Sequence, residues 1–263
     1  MSARSPGIGE DLRLAGRQLY YEQLGFWLNP VGAGFTIGFS VIFLLLLGAT
    51  GGNQKIASLG GIREIQYYLP GFVAYGVMAA CFNTLTNIIV VRRETGLLKR
   101  LRLSPLPTWA LFAGVFGSML IVSGLQVIVL LLIGKFGYGA ILPHNVAAFV
   151  VALVVGSACF CAVGVATSTL IPNEEAAGPV IGVIFFVLLF LSGLWFPINS
   201  SSALAKISTW FPVRHMITAT FAPFDVRPGV SGWAWNDLLV MAVWGVCGIF
   251  VALRRWSWSP RRN

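Results

Sequence analysis

The side chains with the clearest chemical potential are five cations crowded between two long apolar runs, in the stretch VVRRETGLLKRLRLSPLP at residues 90–107. These cations are Arg92, Arg93, Lys99, Arg100 and Arg102. Such a cluster makes and breaks no bonds. Its chemistry is recognition, in which Leu97 and Leu98 fill an apolar groove on a soluble partner and the charges fix the register. The alternative is an anchor that only sets membrane topology.

Catalytic chemistry has little support elsewhere in the sequence. No G-x-x-x-x-G-K-[ST] phosphate loop and no H-E-x-x-H motif occurs, and His144 and His215 are isolated. The four cysteines lie in apolar runs without a C-x-x-C pair, so we interpret them as packing residues. We therefore expect no metal site, no catalytic residues and no ATP site in this chain. Asp237, at the edge of an apolar run, is the nearest candidate for the intramembrane acid that ion-coupled transporters use.

A second group of polar and aromatic side chains lies inside the apolar runs. Asn83 and Asn87 are four residues apart and share a helical face, as do Phe82 and Thr86 on the adjacent one. The fifth apolar run repeats this four-residue spacing in Phe186 and Phe190. Amides in hydrocarbon favour either a cavity or a partner on another helix. These residues therefore predict a path for amphipathic cargo, or else contacts that only bind helix to helix.

The elements that must position these residues are membrane helices. Of the 263 residues, 57% are hydrophobic and 10% are charged, whereas soluble domains carry about 25% charged residues. Continuous rather than alternating apolar runs exclude a β-barrel interpretation. Because a bilayer core requires about 20 apolar residues per helix, the sequence predicts six spans. They cover residues 31–50, 70–91, 108–133, 145–171, 178–197 and 237–253.

The distribution of Lys and Arg predicts the orientation. With both termini in the cytoplasm, the inner segments hold 12 cations, the outer segments hold 6, and all 18 are counted. One inner loop dissents, because it carries Glu174 and Glu175 and no cation. We interpret the net charge of +9 as a match to anionic lipid rather than to nucleic acid.

Two segments outside the spans carry further patterns. Residues 1–30 are predicted to form a cytoplasmic interfacial helix, ended by Asn29-Pro30, with residues 31–263 as the six-span domain. Residues 197–223 contain apolar pieces too short to cross and three prolines, so they predict short helices. Whether these helices re-enter the membrane or rest on its surface is left open. The fold class is an all-α membrane protein.

Three segments together resemble the ABC-2 type transporter permeases. RRETGLLKRLRLSPLPTWALFAG resembles the family's Arg-Glu, Gly-x-Leu and Ser-Pro-Leu hallmark before the third span. YYEQLGFWLNPVGAGFTIGFSVIFLLLLG resembles its interfacial helix and first span, and LSGLWFPINSSSALAKISTWFPVRHMITATFAPF resembles its fifth span and outer re-entrant helices. The chain is similar to drug-export members of the daunorubicin type, although Leu97 stands where the family often has Thr.

The resemblance implies a half-transporter in a bacterial cell membrane. Two permeases, identical or different, would pair above two separate ATPase subunits, which would bind the ATP and Mg²⁺. The segment from Arg93 to Arg102 would be the coupling helix, with Glu94 and Gly96 at matching positions. The implied function is outward movement of a lipophilic or amphipathic compound, such as a drug. Export of a polysaccharide or glycoconjugate is the alternative, and a non-transport membrane enzyme or scaffold fits less well.

Overall fold

The structure, a computed structural model, describes residues 8–51, 54–56, 62–103, 107–194, 203–225, 227 and 231–258. Nearly all of them are helical, and one short antiparallel hairpin pairs β1 (Lys55–Ile56) with β2 (Ile62–Arg63). The eleven α-helices within the described ranges are α1 (Ile8–Trp27), α2 (Pro30–Gly51), α3 (Glu64–Met78), α4 (Leu85–Glu94), α5 (Leu97–Leu103), α6 (Thr108–Leu132), α7 (Val146–Ser168), α8 (Glu174–Ser192), α9 (Ala203–Ser208), α10 (Pro212–Phe221) and α11 (Trp235–Arg255). The Ser104-Pro105-Leu106 part of the hallmark and residues 195–202 lie outside the described residues.

Within the described ranges, six helices are long and apolar enough to cross a membrane, which confirms the predicted fold class. They are Pro30–Gly51, Glu64–Glu94, Thr108–Gly137, Val146–Ser168, Glu174–Ser192 and Trp235–Arg255. The second begins six residues before the predicted start at Pro70, which lies inside the helix. Ile65 and Leu69 are fully buried, so packing against the bundle extends the helix before the proline.

The second span is the most buried of the six and is not a regular α-helix throughout. Between α3 and α4 it contains a π-helical segment, Ala79–Thr84, that keeps the span continuous. A π-helical turn contains an extra residue, so it shifts the faces on which later side chains lie. Asn83 and Thr84 lie within this segment, and Asn87 follows it by one turn.

Helix α1 packs on the flank of the bundle against the first half of α6. Gly114 and Gly117 provide the room, because a Cβ atom on Gly114 would lie 2.6 Å from the Gln18 side chain. Gln23 donates to both the carbonyl and the hydroxyl of Ser118 at 2.9 Å. The opposite face of α1 is exposed, with Tyr20 and other apolar side chains on it. Such a face suits the membrane interface that we predicted for this helix.

The junction between α1 and α2 is the one predicted from Asn29-Pro30. Helix α1 ends at Trp27 and α2 begins at Pro30. The Asn29 carboxamide oxygen accepts from the Gly32 backbone N–H at 3.0 Å and so caps α2. Pro30 occupies the first helical position, where its missing N–H leaves no intrahelical bond unmade.

Helix α10 packs among the spans, at the end of the bundle opposite to α5, and α9 precedes it. The indole of Trp244 donates to the Trp210 carbonyl at 2.9 Å, and the rings of Phe211 and Trp244 stack. Trp244 lies nine residues into α11, which corresponds to about 13 Å along that helix. Met216 is fully buried against Gly156, in the interior of α7. The turn between α9 and α10 thus lies beside the spans, and this geometry favours the re-entrant alternative.

Close packing of α11 on α7 depends on a glycine, and we expect Gly248→Ala to lower the thermal unfolding midpoint. A methyl group there would lie 2.9 Å from the Ala162 carbonyl carbon, so the helices must separate. Overpacking of this kind costs about 1–3 kcal/mol. Gly182→Ala is the matched control, because its methyl group would meet no described atom within 4 Å. Its higher helix propensity should stabilise the helix by up to about 1 kcal/mol. Equal midpoints for both variants in detergent would contradict the tight packing.

Candidate coupling and cargo-binding sites

The turn that joins the second span to α5 is fixed by a glycine. Gly96 has φ +72°, in the left-handed region that side chains disfavour, and its N–H bonds to the Arg93 carbonyl at 3.1 Å. A glycine can also be required where another backbone approaches closely. Within the described residues an added Cβ would meet nothing within 4 Å, so the turn itself accounts for this glycine. It directs α5 away from α4.

Arg93, predicted as part of the coupling segment, is 3% exposed and ties the second span to the end of α7. Its guanidinium donates to the carbonyl oxygens of Ser168 at 2.9 Å and Ile171 at 2.6 Å. Its Nε donates to the Glu94 carboxylate at 2.7 Å. Ser168 is the last residue of α7 and Ile171 lies just beyond its end, where carbonyls lack intrahelical partners and attract a cation. Arg93 and Glu94 therefore hold the base of α5 in place.

Helix α5 divides its side chains between the bundle and the surface. Leu98 is 4% exposed and belongs to the hydrophobic core, so it has little surface to offer a partner. Leu97 is 40% exposed, and Lys99 and Arg100 are exposed beside it. The last residue of the helix, Leu103, is 81% exposed. We call Leu97, Lys99, Arg100 and Leu103 the α5 surface.

An ion pair that the sequence analysis missed connects α1 to the base of α4. Both Nη atoms of Arg92 donate to the Glu22 carboxylate at 2.6 Å, and Gln18 adds a hydrogen bond at 2.7 Å. Glu22 is 6% exposed. A buried acid in an amphipathic helix is a signal that could have found this pair, because it requires a cation nearby. Arg92 and Arg93 thus fix two different neighbours to one span.

The six predicted cargo-path residues lie in three different environments. Phe82 and Thr86 are fully buried, and the Thr86 hydroxyl bonds to the carbonyls of Phe82 and Gly164 inside the bundle. Phe186 and Phe190 are 59% and 57% exposed on α8, with ring centroids 5.3 Å apart. Only Asn83 and Asn87 line a cavity. The structure therefore supports helix packing for the first pair and does not bring the three pairs together at one cavity.

The cavity that Asn83 and Asn87 line has a volume of about 570 Å³ and opens between α1, α2 and α4. Its lining combines polar groups with apolar walls, and sequence reasoning missed most of it because it is built from three distant segments. The further lining residues are Glu22, Gly25, Phe26, Asn29, Gly32, Ala33, Phe35, Thr36, Thr84, Ile88, Val91, Arg92 and Met119. The hydroxyls of Thr36 and Thr84 lie 3.0 Å apart and join α2 to the π-helical segment.

At the opposite end of the bundle, His215, which is isolated in the sequence, meets Asp237, the candidate intramembrane acid. His215 Nδ1 lies 2.7 Å from the Asp237 carboxylate, and His215 Nε2 lies 2.8 Å from the Thr209 carbonyl. Both partners are acceptors, so both contacts are hydrogen bonds only when the imidazole carries two protons. The Asp237 carboxylate is therefore engaged in a contact between α10 and α11. Among the described residues, no cluster of three His, Cys, Asp or Glu side chains could hold a metal ion.

Comparison with known proteins agrees with this architecture. A family model described as ABC-2 type transporter matches residues 19–224, which include the α4–α5 turn, the cavity and α10. The chain is 31% identical over 163 residues to the probable multidrug ABC transporter permease YbhR of Escherichia coli strain K12. The alignment covers 60% of this chain and 44% of that protein, and the protein of the same name from Escherichia coli O157:H7 matches equally. The aligned part of the chain thus spans less than half the length of these relatives. Since the family model covers well over half of the chain, the chain belongs to the ABC-2 type transporter family.

Proposed function

We propose that the chain is the membrane subunit of an ATP-driven exporter of amphipathic compounds, paired with a second permease and driven by separate ATPase subunits. The observation that carries this proposal is the α5 surface. Two exposed cations and two exposed leucines stand on a short helix beyond a left-handed glycine. Buried hydrogen bonds of Arg93 join the base of that helix to α7. A displacement of α5 would therefore be transmitted directly to the second span and to α7.

The proposed cargo is supported by the relatives, and the proposed orientation is supported by the distribution of charge. The relatives' printed name, probable multidrug ABC transporter permease, supports an amphipathic or drug-like cargo. The excess of cations supports a cytoplasmic position, in a bacterial cell, for the end that carries α5. Glu174 and Glu175, the acids that dissent from this rule, occupy the first turn of α8. There the carboxylates interact favourably with the positive end of the helix dipole, which explains their position independently of membrane topology.

Topology is tested by thiol labelling in a chain whose four cysteines have been replaced. We expect Lys55→Cys to react with a membrane-impermeant maleimide on intact cells, and Lys99→Cys to react only after lysis. The reason is that β1 and α5 lie at opposite ends of the six spans. Labelling of Lys99→Cys on intact cells would contradict the orientation.

Coupling is tested by association with the ATPase. We expect Leu97→Asp and the double charge reversal Lys99→Glu/Arg100→Glu to reduce co-purification of the ATPase encoded beside this gene at least about tenfold. The expectation follows because central apolar and charged contacts dominate interface energies, and tenfold corresponds to about 1.4 kcal/mol. Lys135→Glu, exposed at the opposite end, is the control.

Each variant is also checked for membrane insertion and for its thermal unfolding midpoint. Unchanged insertion with lost association supports a coupling role. Full association and full ATP-driven transport in both variants would return the α5 surface to a topological anchor. The permease purified alone is expected to hydrolyse no ATP, so any turnover must depend on the added ATPase.

A further inference from the structure

The cavity between α1, α2 and α4 contains polar groups whose hydrogen-bonding capacity is unused. Among the residues that the structure describes, neither the Asn83 nor the Asn87 carboxamide has a hydrogen-bond partner. Asn29 uses its carboxamide oxygen to cap α2, and its amide nitrogen has no described acceptor. Each carboxamide offers two N–H donors and an acceptor oxygen. Three amides around one cavity thus form a set of donors and acceptors suited to a polar ligand.

The depth of these amides makes their unused capacity costly. The second span has 31 residues and is about 46 Å long, which exceeds the hydrocarbon core of about 30 Å by about 8 Å at each end. Asn87 lies seven residues before the end of α4, and Asn83 lies eleven before it. These positions are about 10 and 16 Å from that end, which for a span centred in the bilayer is about 2 and 8 Å inside the hydrocarbon boundary. Polar groups at this depth are expensive unless something in the cavity bonds to them.

The charge of the cavity selects the class of ligand. Glu22 and Arg92 are the two charged residues that line it, and they neutralise each other at 2.6 Å. No charge is left over to attract an anionic or cationic group. The ligand that fits is therefore uncharged and rich in hydroxyl or amide groups. A volume of about 570 Å³ admits a headgroup of one or two sugar rings.

The walls of the cavity account for the rest of an amphiphile. Phe26 and Met119 are buried beside the amides, and Phe35 is 74% exposed on α2. Trp27 and Leu28 are exposed at the end of α1, between the lining residues Phe26 and Asn29 in the sequence, and such side chains suit the membrane interface. An acyl chain attached to the ligand would leave along Phe35 into lipid, while its headgroup remained among the amides.

We propose that this cavity binds the uncharged, hydroxyl- or amide-rich headgroup of an amphiphile from the leaflet at the α5 end of the bundle. This inference rests on the proposed export function and names the class of cargo that the permease would accept. Asn83 and Asn87 are its principal ligands, both presented by or just after the π-helical segment. Asn29 contributes its amide from the junction of α1 and α2.

The test uses three photoreactive probes with the same twelve-carbon tail and different headgroups: maltoside, sulfate and trimethylammonium. The purified full-length permease in lipid nanodiscs, without ATPase, is labelled, and the modified peptides are mapped. We expect the maltoside probe to label α1, α2 and α4 and to be displaced by unlabelled maltoside but not by the charged competitors. A probe with an amide headgroup of similar size distinguishes hydroxyl from amide ligands. Labelling of these helices by all three headgroups alike would overturn the proposal.

Substitutions at the amides sharpen the test. Asn83→Leu and Asn87→Leu should weaken maltoside binding at least about tenfold, and Gln54→Leu, at the opposite end of the bundle, should not. Asn87→Asp should shift the preference to the trimethylammonium probe, because it adds one uncompensated negative charge to a neutral cavity. Asn87 is exposed on the cavity wall, so this variant should fold. Unchanged affinities and preferences in these variants would overturn the site.

Transport is measured separately, in vesicles that contain both permease and ATPase. If the unchanged permease binds maltoside but shows no ATP-driven export, the proposed function is rejected and the binding site is retained. Export of neutral amphiphiles at the normal rate by Asn83→Leu/Asn87→Leu would reject the site and leave the exporter function standing.

Discussion

Replacing Arg93 with Gln is expected to destabilise the permease more than any other single change at the α5 end, by about 3–5 kcal/mol. The guanidinium is 3% exposed and supplies hydrogen bonds to the Ser168 and Ile171 carbonyls and to Glu94. A glutamine is shorter and carries no charge. The helix end and the half-buried Glu94 carboxylate would both lose their partner.

The measurement is the free energy of unfolding of the purified permease in detergent, with Arg100→Gln as its control. Arg100 is exposed on α5, seven residues further along the chain, so its loss should change stability by less than about 0.5 kcal/mol. Equal stability of the two variants would show that the hydrogen bonds of Arg93 contribute no stability and that only the number of cations in this stretch matters. That outcome would favour a topological anchor over a structural junction.

The second large effect is expected at the ion pair between α1 and α4. Glu22→Arg places two cations together where Glu22 is 6% exposed, and we expect a loss of more than about 3 kcal/mol. Glu22→Gln, which keeps the shape and removes the charge, should cost about 1.5–3 kcal/mol. The double variant Glu22→Arg/Arg92→Glu restores opposite charges in reversed order.

The swap should recover about half of the stability lost by Glu22→Arg, because both carboxylate and guanidinium can still meet across the same gap. Gln18 would lose its acceptor, so recovery should be incomplete. Thermal unfolding of the wild type, Glu22→Arg, Arg92→Glu and the double variant completes the double-mutant cycle. Strictly additive losses would mean that the two side chains do not interact in the folded protein.

The spans were predictable from the sequence because each is a continuous apolar run near the length that a bilayer requires. The π-helical segment at Ala79–Thr84 was not, since its residues look like any other helical stretch and its extra residue depends on tertiary packing. Gly114 and Ser118 are four residues apart in the sequence, and small residues at this spacing are typical of a close helix contact. They could not identify α1 as the partner, because small residues permit approach without specifying what approaches.

The coupling stretch shows the same division between composition and geometry. Its basic residues and Gly96 are evident in the sequence, and the left-handed turn at Gly96 agrees with the residue type. The sequence could not tell that Leu98 faces inward and Leu97 outward, because adjacent helical residues differ by only 100°. Nor could it separate Arg93, which bonds to carbonyls at the end of α7, from the exposed Arg100. Those assignments depend on the position of a helix 75 residues away.

The packing of α1 on α6 has a consequence for the order in which the nascent chain acquires its shape. Gln23 must wait for Ser118, which is 95 residues further along, and Glu22 must wait for Arg92, 70 residues further along. At about 5–20 residues per second, the ribosome needs about 5–20 s to supply the 95 residues. Until these residues emerge, α1 lacks its partners on α4 and α6, and its exposed aromatic face and its connection to α2 can hold it at the bilayer during translation.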